Sequence, residues 1–124
     1  MRRGEAPRKI KIMTVSTHVL DTALGRPAAG MRVRLLRADG AAWVEVSAAE
    51  TNADGRVPAL LPPDAGVAPG PFRIAFDVAA YFAARGQDTF YTTIAIDFLV
   101  RDAAQHYHVP LLVSPWSYST YRGS

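Results

Sequence analysis

Short stretches in which apolar and polar residues alternate recur along the chain, and turn-forming residues separate them. In the stretch Met31–Leu36, Arg32 and Arg34 fall on one side of an extended backbone, and Val33 and Leu35 fall on the other. Successive side chains of a β-strand point to opposite faces, so this alternation predicts a strand with one face in solvent and one in a core. Repeated short strands of this kind are typical of an all-β sandwich or barrel.

Further strands are predicted on both sides of this one. Asp39-Gly40 can supply the positive φ angles of a tight turn, so Met31–Leu36 is expected to form an antiparallel hairpin with Trp43–Val46. Asp54-Gly55 marks a second turn. The other predicted strands are Ile10–Val19, Phe72–Val78, Thr89–Val100 and Gln105–Val113. The last two are expected to form a final hairpin, and about seven or eight strands are expected in total.

Two stretches differ from this pattern. Prolines cannot donate the hydrogen bonds of a sheet, so a mostly irregular loop is predicted for the stretch that contains Pro58, Pro62, Pro63, Pro69 and Pro71. The stretch Ala79–Arg85 is rich in helix formers and is followed by Gly86, a typical helix stop, which predicts one short helix.

The net charge of +3 belongs to the first nine residues. Four cationic side chains and Glu5 give 4 − 1 = +3 there, which leaves 10 − 10 = 0 for the rest of the chain. We therefore predict a flexible basic tail at residues 1–9 and a single domain over residues 10–124. A nucleic-acid-binding surface would need a basic stripe with interleaved aromatic residues, and the neutral body shows no such pattern. Binding to nucleic acid is not expected.

The chain contains no cysteine. Disulfides, a thiolate nucleophile and cysteine-based zinc sites are therefore excluded. The N-terminal arginines are not followed by an apolar run long enough for a signal peptide, and the apolar stretches are too short to span a membrane. We expect a soluble, cytoplasmic protein that does not bind membranes.

Three histidines are the clearest candidates for chemistry. His106 and His108 are two residues apart in a predicted strand, which places both rings on one face, and His18 lies near the end of the first predicted strand. Three histidines could hold zinc with one open coordination position. No known ligand-spacing motif is present, so the pattern favours polar residues without a metal and leaves zinc as an alternative.

Arg56 and the C-terminal segment are further candidates. Arg56 directly follows the Asp54-Gly55 turn, so its guanidinium could project from the edge of the sandwich as a fixed, charged hydrogen-bond donor. Residues 117–124 combine hydroxyl groups, a guanidinium and the chain carboxylate. Taken alone, the arginine is more typical of a protein surface, and most terminal segments fray.

Four separated blocks of sequence resemble one known family. They are Ser16-Thr17-His18-Val19-Leu20-Asp21 with Gly25, Pro27 and Ala28; Thr51-Asn52 with Asp54-Gly55-Arg56; His106-Tyr107-His108-Val109-Pro110-Leu111-Leu112 with Ser114-Pro115; and Tyr121-Arg122-Gly123-Ser124. They cover the chain from about Ile10 to its end and resemble the 5-hydroxyisourate hydrolases, the enzymatic branch of the transthyretin-like family. The resemblance implies a two-sheet antiparallel β-sandwich with one short helix.

Another branch of this family, the transthyretin carriers of thyroid hormone, has the same fold without the activity, so site residues must separate the two. The resemblance implies that the carriers have lysine, glutamate and threonine at the positions that match His18, Arg56 and His108, and that they lack the Tyr-Arg-Gly-Ser ending. His106 occurs in both branches, which implies a supporting role. The residues of this chain favour the hydrolase branch, and a non-catalytic carrier or binding module is the alternative.

The resemblance also implies a reaction. It is the hydrolysis of the lactam ring of 5-hydroxyisourate to 2-oxo-4-hydroxy-4-carboxy-5-ureidoimidazoline in urate degradation, without metal or cofactor. The implied catalytic residues are His18, Arg56 and His108. The implied substrate-binding residues are His18, Arg56, Tyr121, Arg122 and Ser124. Family members form homotetramers with sites in clefts between subunits, so a homotetramer is expected, and the choice of histidine as general base is left open.

Overall fold

The computed structural model describes residues 13–62 and 64–124, and within them the chain forms ten strands and one helix. These are β1 (Thr14–Asp21), β2 (Arg26–Pro27), β3 (Arg32–Asp39), β4 (Ala42–Glu50), β5 (Arg56–Val57), β6 (Gly70–Asp77), α1 (Val78–Ala83), β7 (Thr93–Val100), β8 (His106–His108), β9 (Leu111–Val113) and β10 (Tyr118–Thr120). The tail predicted at residues 1–9 and the start of the strand predicted from Ile10 lie outside the described residues. No helix in the described part of the chain is long and apolar enough to cross a membrane.

The strands form two sheets, which confirms the predicted all-β sandwich. One sheet has the order β4-β3-β6-β7, and all its neighbours are antiparallel. The other is built around β1, which pairs antiparallel with β2 and β5 but parallel with β8 and β9, while β10 pairs antiparallel with β9. The two parallel pairings are a departure from the purely antiparallel sandwich that was expected.

The predicted β3–β4 hairpin is confirmed. The pairing runs to Asp39 opposite Ala42, and Gly40 adopts a φ of 60° in the tight turn between them. The proline-rich stretch is also irregular as predicted, because no strand begins between β5 and Gly70 in the part of this stretch that the structure describes.

The predicted final hairpin is wrong. Residues 105–113 form two short strands, β8 and β9, and Pro110 lies in the gap between them. Neither pairs with β7, which pairs with β6, whereas β8 and β9 run parallel to β1 in the opposite sheet. Residues 101–105 therefore carry the chain from one sheet to the other. The physical reason is that alternation predicts a strand and its buried face but contains no information about its partner.

The core lies between the two sheets. Val33 and Leu35 are fully buried and Arg32 is exposed, as their alternation predicts. On β1 the inward positions include Val15 and Val19, which are also fully buried. Burying a large apolar side chain contributes about 1.5–3 kcal/mol, so these residues fix which face of β1 turns inward. The alternate residues of β1 are thereby turned outward, and they carry the polar groups described below.

The predicted helix is confirmed, but it begins at Val78, one residue earlier than predicted, and ends at Ala83, two residues before the predicted end at Arg85. Asp77 explains the shift, because its carboxylate accepts a hydrogen bond from the backbone N–H of Ala80 and caps the helix start. The hydroxyl of Tyr81 donates a hydrogen bond of 2.9 Å to the buried carboxylate of Asp21 at the end of β1. The helix is thus attached to the strand that carries the candidate site.

Candidate active site

The outward face of β1 places three polar side chains in a row. Thr14, Ser16 and His18 alternate with inward residues and therefore lie on the same face. In the parallel pairing with β8, Thr14 lies opposite His106 and Ser16 lies opposite His108. The register of these two strands thus brings the histidines predicted from separate parts of the sequence onto one surface.

Arg56 is delivered to the same surface by the turn before β5. The side chain of Asn52 accepts a hydrogen bond of 3.0 Å from the backbone N–H of Arg56, and the N–H of Val19 donates one of 2.7 Å to the carbonyl of Gly55. Gly55 has a φ of 73°, and a Cβ atom there would collide with the Val19 carbonyl, so only glycine fits. As a result, Arg56 pairs directly opposite His18.

The C-terminal segment folds back over β8. The backbone N–H of Gly123 donates a hydrogen bond of 2.8 Å to the carbonyl of His108, and the two residues form a β-bridge. A Cβ atom at Gly123 would collide with Cδ2 of the His108 ring. Glycine at this position therefore lets the chain end pack against the imidazole and brings Ser124 to the same surface.

These elements enclose a cleft of about 240 Å³. It is lined by Ser16, Thr17, Arg56, Pro58, His106, His108 and Ser124. Of the residues predicted for the site, Arg56, His108 and Ser124 thus share the cleft, and His18 stands beside it through its pairing with Arg56.

Tyr121 and Arg122 line a neighbouring, more apolar cavity of about 260 Å³. Arg122 lies over the ring of Tyr107, 4.8 Å from its centre, and donates a hydrogen bond of 3.0 Å to the side chain of Gln105. His108 lines both spaces and separates them. The structure therefore places these two predicted binding residues behind the imidazole and not inside the cleft.

A chain of side-chain hydrogen bonds links the two histidines of β8. Oγ of Ser16 lies 2.7 Å from Nδ1 of His108 and 3.0 Å from Nε2 of His106, whose Nδ1 lies 2.5 Å from Oγ1 of Thr14. Sequence reasoning missed Ser16 and Thr14 as members of the site. The two-residue steps from Thr14 to Ser16 and from Ser16 to His18 were visible in the sequence, but the pairing of β1 with β8 was not.

Comparison with known proteins places this geometry in a family. The sequence model of the HIUase/Transthyretin family matches residues 15–123. The chain belongs to this family. It is 46% identical over 112 residues to the 5-hydroxyisourate hydrolase of Mus musculus, a match that covers 89% of this chain and 94% of the mouse protein.

Solved structures of the HIUase/Transthyretin family share the fold. The structure of Klebsiella pneumoniae 5-hydroxyisourate hydrolase has a TM-score of 0.79 and 34% identity, and the match covers 91% of this chain and 100% of that one. Sea bream transthyretin in complex with thyroxine has a TM-score of 0.82 and 25% identity, and that match covers 89% and 94%. The resemblance inferred from four blocks of sequence and the transthyretin-like fold are both confirmed.

The electrostatic surroundings keep one histidine of this family member neutral. Burial lowers the pKa of His108, and unfavourable electrostatic interactions with His106, Arg56 and His18 lower it further. At neutral pH the imidazole therefore has a free lone pair. A neutral imidazole in a cleft with a guanidinium can accept a proton from water while the cation attracts developing negative charge.

The hydrogen bonds of the histidines also bear on whether this site could hold zinc. In residues 13–62 and 64–124, no group of three or more histidine, aspartate or glutamate side chains is placed to hold a metal ion. Both ring nitrogens of His106 already contact the hydroxyls of Thr14 and Ser16. A site made of all three histidines would have to break one of these hydrogen bonds.

Proposed function

We propose that this chain hydrolyses 5-hydroxyisourate to 2-oxo-4-hydroxy-4-carboxy-5-ureidoimidazoline in urate degradation. One observation carries the proposal. Arg56 and His108 line one polar cleft, and His18 pairs with Arg56 beside it, in a chain 46% identical to a 5-hydroxyisourate hydrolase. These three residues separate hydrolases from carriers in the sequence blocks.

His108 and His18 handle protons in this proposal. The lowered pKa of His108 keeps it neutral, and Ser16 occupies Nδ1, so Nε2 is the nitrogen available to deprotonate the attacking water. A positioned general base typically contributes a factor of about 10² to 10⁴ in rate. His18, two residues after Ser16 on the same face of β1, then supplies a proton to the departing ring nitrogen.

Arg56 stabilises negative charge. When hydroxide adds to the lactam carbonyl, the carbonyl oxygen becomes anionic, and the Arg56 guanidinium, whose backbone is held by the Asn52 turn and which lines the cleft, stabilises that charge. Ser124 closes the cleft, while Tyr121 and Arg122 support the far side of the His108 ring from the neighbouring cavity. These groups bind, orient and polarise the substrate, and the proposal needs no metal or cofactor.

A homotetramer with sites between subunits is part of the proposal. Phe90 and Trp116 are 74% and 66% exposed, which is unusual for side chains of this size. They form an aromatic patch with Tyr91 and Tyr118, whose rings stack edge to face at 5.3 Å. Exposed contiguous aromatic surface of this kind is typical of protein interfaces.

The cytoplasmic location is also retained as a proposal. A chain without cysteine does not depend on an oxidising compartment for its fold. Fractionation of cells that produce the protein, with marker enzymes for each compartment, would test the location.

The decisive experiment follows the decay of the substrate. Uricase generates 5-hydroxyisourate from urate, and its ultraviolet absorbance is recorded with and without this protein. We expect a large acceleration over the spontaneous decay. An unchanged decay rate would favour a carrier, for which the apolar cavity of about 260 Å³ next to the cleft would be the binding site.

A second experiment separates metal-free catalysis from zinc catalysis. The proposal predicts that protein treated with a chelator keeps its activity and that His108→Asn loses far more activity than His106→Asn. A zinc enzyme would lose activity on chelation, and both substitutions would be equally harmful. Equal losses in the two variants would contradict the assignment of His108.

A further inference from the structure

A continuous chain of hydrogen bonds runs from the cleft to the protein surface. His108 contacts Ser16, Ser16 contacts His106, and His106 contacts Thr14, at 2.7, 3.0 and 2.5 Å. His108, at the cleft end of this chain, is half-buried, Ser16 next to it is buried, and Thr14 at the other end is exposed. The two imidazoles are nearly parallel, with 6.3 Å between ring centres and 15° between planes, so Ser16 bridges their edges.

The number of hydrogen atoms limits how this chain can be arranged. Each hydroxyl and each neutral imidazole has one polar hydrogen. When the Ser16 hydrogen is used inside the chain, all bonds must point the same way. Either every group donates toward Thr14, which leaves Nε2 of His108 without a proton, or every group donates toward His108, which leaves Nε2 protonated.

We propose that Thr14, His106, Ser16 and His108 form a proton wire in which every group donates toward Thr14, so that Nε2 of His108 faces the cleft as a proton acceptor. The inference rests on the proposed function, because only this direction allows His108 to deprotonate water. Ser16 and His106 are then positioning residues, since they act on the reaction through His108.

The wire moves one proton without leaving a charge on any imidazole. As water loses a proton to Nε2 of His108, the Nδ1 proton passes to Ser16 and the Ser16 proton passes to Nε2 of His106. The Nδ1 proton of His106 passes to Thr14, which releases its own proton to bulk water. Hydroxide bonds to the carbonyl carbon as the C=O π electrons move to the oxygen, and they return when the ring C–N bond breaks and the departing nitrogen takes a proton from His18. Nε2–H of His108 then reprotonates His18, and the wire returns to its first arrangement as bulk water resupplies one proton through Thr14.

The surroundings of His108 explain why such a wire is useful. The charged groups that face it are His106 on its own strand, His18 on β1 and Arg56 on β5, and all of them are cationic or can become so. An imidazolium at His108 would be repelled by these groups in a partly buried position. Passing a proton through Ser16 and His106 avoids that charge.

Kinetics of hydroxyl variants test the wire. We expect Ser16→Ala to lower kcat about tenfold or more with little change in KM, and Ser16→Thr, which restores a hydroxyl, to recover much of the loss. Thr14→Val interrupts the chain at the exposed end, where folding is not at risk, and should also lower kcat. Thr22→Val is the matched control, because it removes a hydroxyl that donates to the carbonyl of Val113 and lies outside the wire.

Rates in mixtures of H₂O and D₂O provide a readout that a structural role would not change. Several protons in motion bend the plot of kcat against deuterium fraction, so a curved plot is expected for the unsubstituted protein and a linear one for Ser16→Ala. Curved plots and normal kcat in both Ser16→Ala and Thr14→Val would overturn the wire.

Nitrogen-15 NMR of the imidazoles tests the wire without any substrate. At pH 7.5 we expect His108 to carry its proton on Nδ1, and a proton on Nε2 would overturn the proposal. If the decay assay shows no hydrolysis, the proposed function fails. If hydrolysis is normal but the hydroxyl variants and the tautomer do not behave as stated, only the wire fails.

Discussion

Gly123 packs directly against His108, the proposed base, and leaves no room for a side chain between them. Its backbone N–H bonds the carbonyl of His108, and any Cβ atom at this position would collide with the edge of the His108 ring. We expect Gly123→Ala to displace the imidazole and lower kcat about tenfold or more, because positioned groups lose activity when moved by about 1 Å. The decay assay measures the loss.

The control for Gly123→Ala is Ser119→Ala, which changes an exposed residue of the same C-terminal segment. It should have normal activity. Both variants should retain the circular dichroism spectrum of the unsubstituted chain. Normal kcat in Gly123→Ala would show that the ring can move aside without effect and would contradict the packing argument.

Arg56 can be tested by reversing its charge. Glutamate is the residue type implied for the carrier branch at this position, and it would repel the anionic transition state. We expect Arg56→Glu to lower kcat/KM by a factor of about 10² to 10³, the range found when one stabilising donor is removed. Thermal unfolding should change little, since Arg56 is exposed. Arg101→Glu, a charge reversal at another exposed position, is the control, and full activity of Arg56→Glu would remove the proposed role.

The pH dependence of the reaction reports the pKa of His108. Burial and the interactions with His106, Arg56 and His18 lower this pKa from its ordinary value of 6.5, so more of the base is neutral at pH 6.5 than in a free histidine. The acid limb of kcat/KM should therefore have its midpoint below 6.5, as measured from initial rates across pH 5 to 8. The free energy of unfolding should also decrease as the pH falls through 6.5, because the unfolded chain takes up this proton at a higher pH than the folded chain. A midpoint at or above 6.5 would contradict the assignment of His108 as base.

Sequence predicted the identity of the reactive residues better than their connections. His18, Arg56 and His108 could be selected because each stands in a block that resembles the hydrolases, and Arg56 also follows a recognisable turn. Ser16 stands in the same block as His18, but its role depends on a register between β1 and β8, whose paired residues are 92 positions apart in the sequence. Such pairing follows from tertiary packing and cannot be read from local alternation.

At the scale of elements, one hydrogen bond attaches the helix to the strand that carries the site. Tyr81 of α1 donates to the buried carboxylate of Asp21, which also accepts from the backbone N–H groups of Ala23 and Leu24. We expect Tyr81→Phe to lower the free energy of unfolding by about 1.5–3 kcal/mol, as measured by urea denaturation, because the acceptor is charged. Tyr91→Phe removes a longer, exposed hydrogen bond and should cost less than about 0.5 kcal/mol.

The dependence of stability on alkaline pH provides a second test of the hydrogen bond between Tyr81 and Asp21. Burial and the hydrogen bond to Asp21 raise the pKa of Tyr81 from 10.0 to about 12. The folded chain holds this proton more tightly than the unfolded chain, so the stabilisation is complete below pH 10 and is lost as the pH rises toward 12. The stability difference between the unsubstituted chain and Tyr81→Phe should shrink across this range. A constant difference would contradict the contact.

The longer elements and the one pairing made by a local turn could be predicted from the sequence, whereas the two-residue strands and the long-range partners could not. Alternation and the Asp39-Gly40 turn are local, so β3, β4 and their hairpin could be predicted from the sequence. The strand predicted at 105–113 was correct in type, but Pro110 interrupts it and the chain crosses to the other sheet. The choice between β7 and β1 as partner depends on which apolar faces meet in the core, and that is a property of the whole domain.

At the scale of the whole molecule, the aromatic patch of Phe90, Tyr91, Trp116 and Tyr118 makes a specific prediction about assembly. Leaving Trp116 two-thirds exposed has a cost in water that burial against another subunit would remove. We expect analytical ultracentrifugation to find a species of four times the 13.4 kDa chain mass. Trp116→Ser should shift it toward smaller species, because the substitution removes apolar contact area without touching the core.

Activity then distinguishes assembly that completes the site from assembly that is independent of it. If neighbouring subunits close the cleft, the dissociated Trp116→Ser protein should lose activity in the decay assay and regain it at higher protein concentration, where tetramers reform by mass action. The substitution leaves the buried core, which includes Phe72, unchanged. The circular dichroism spectrum of Trp116→Ser should therefore match that of the unsubstituted chain. A fully active monomer, either of the unsubstituted chain or of Trp116→Ser, would show that one chain contains the complete cleft.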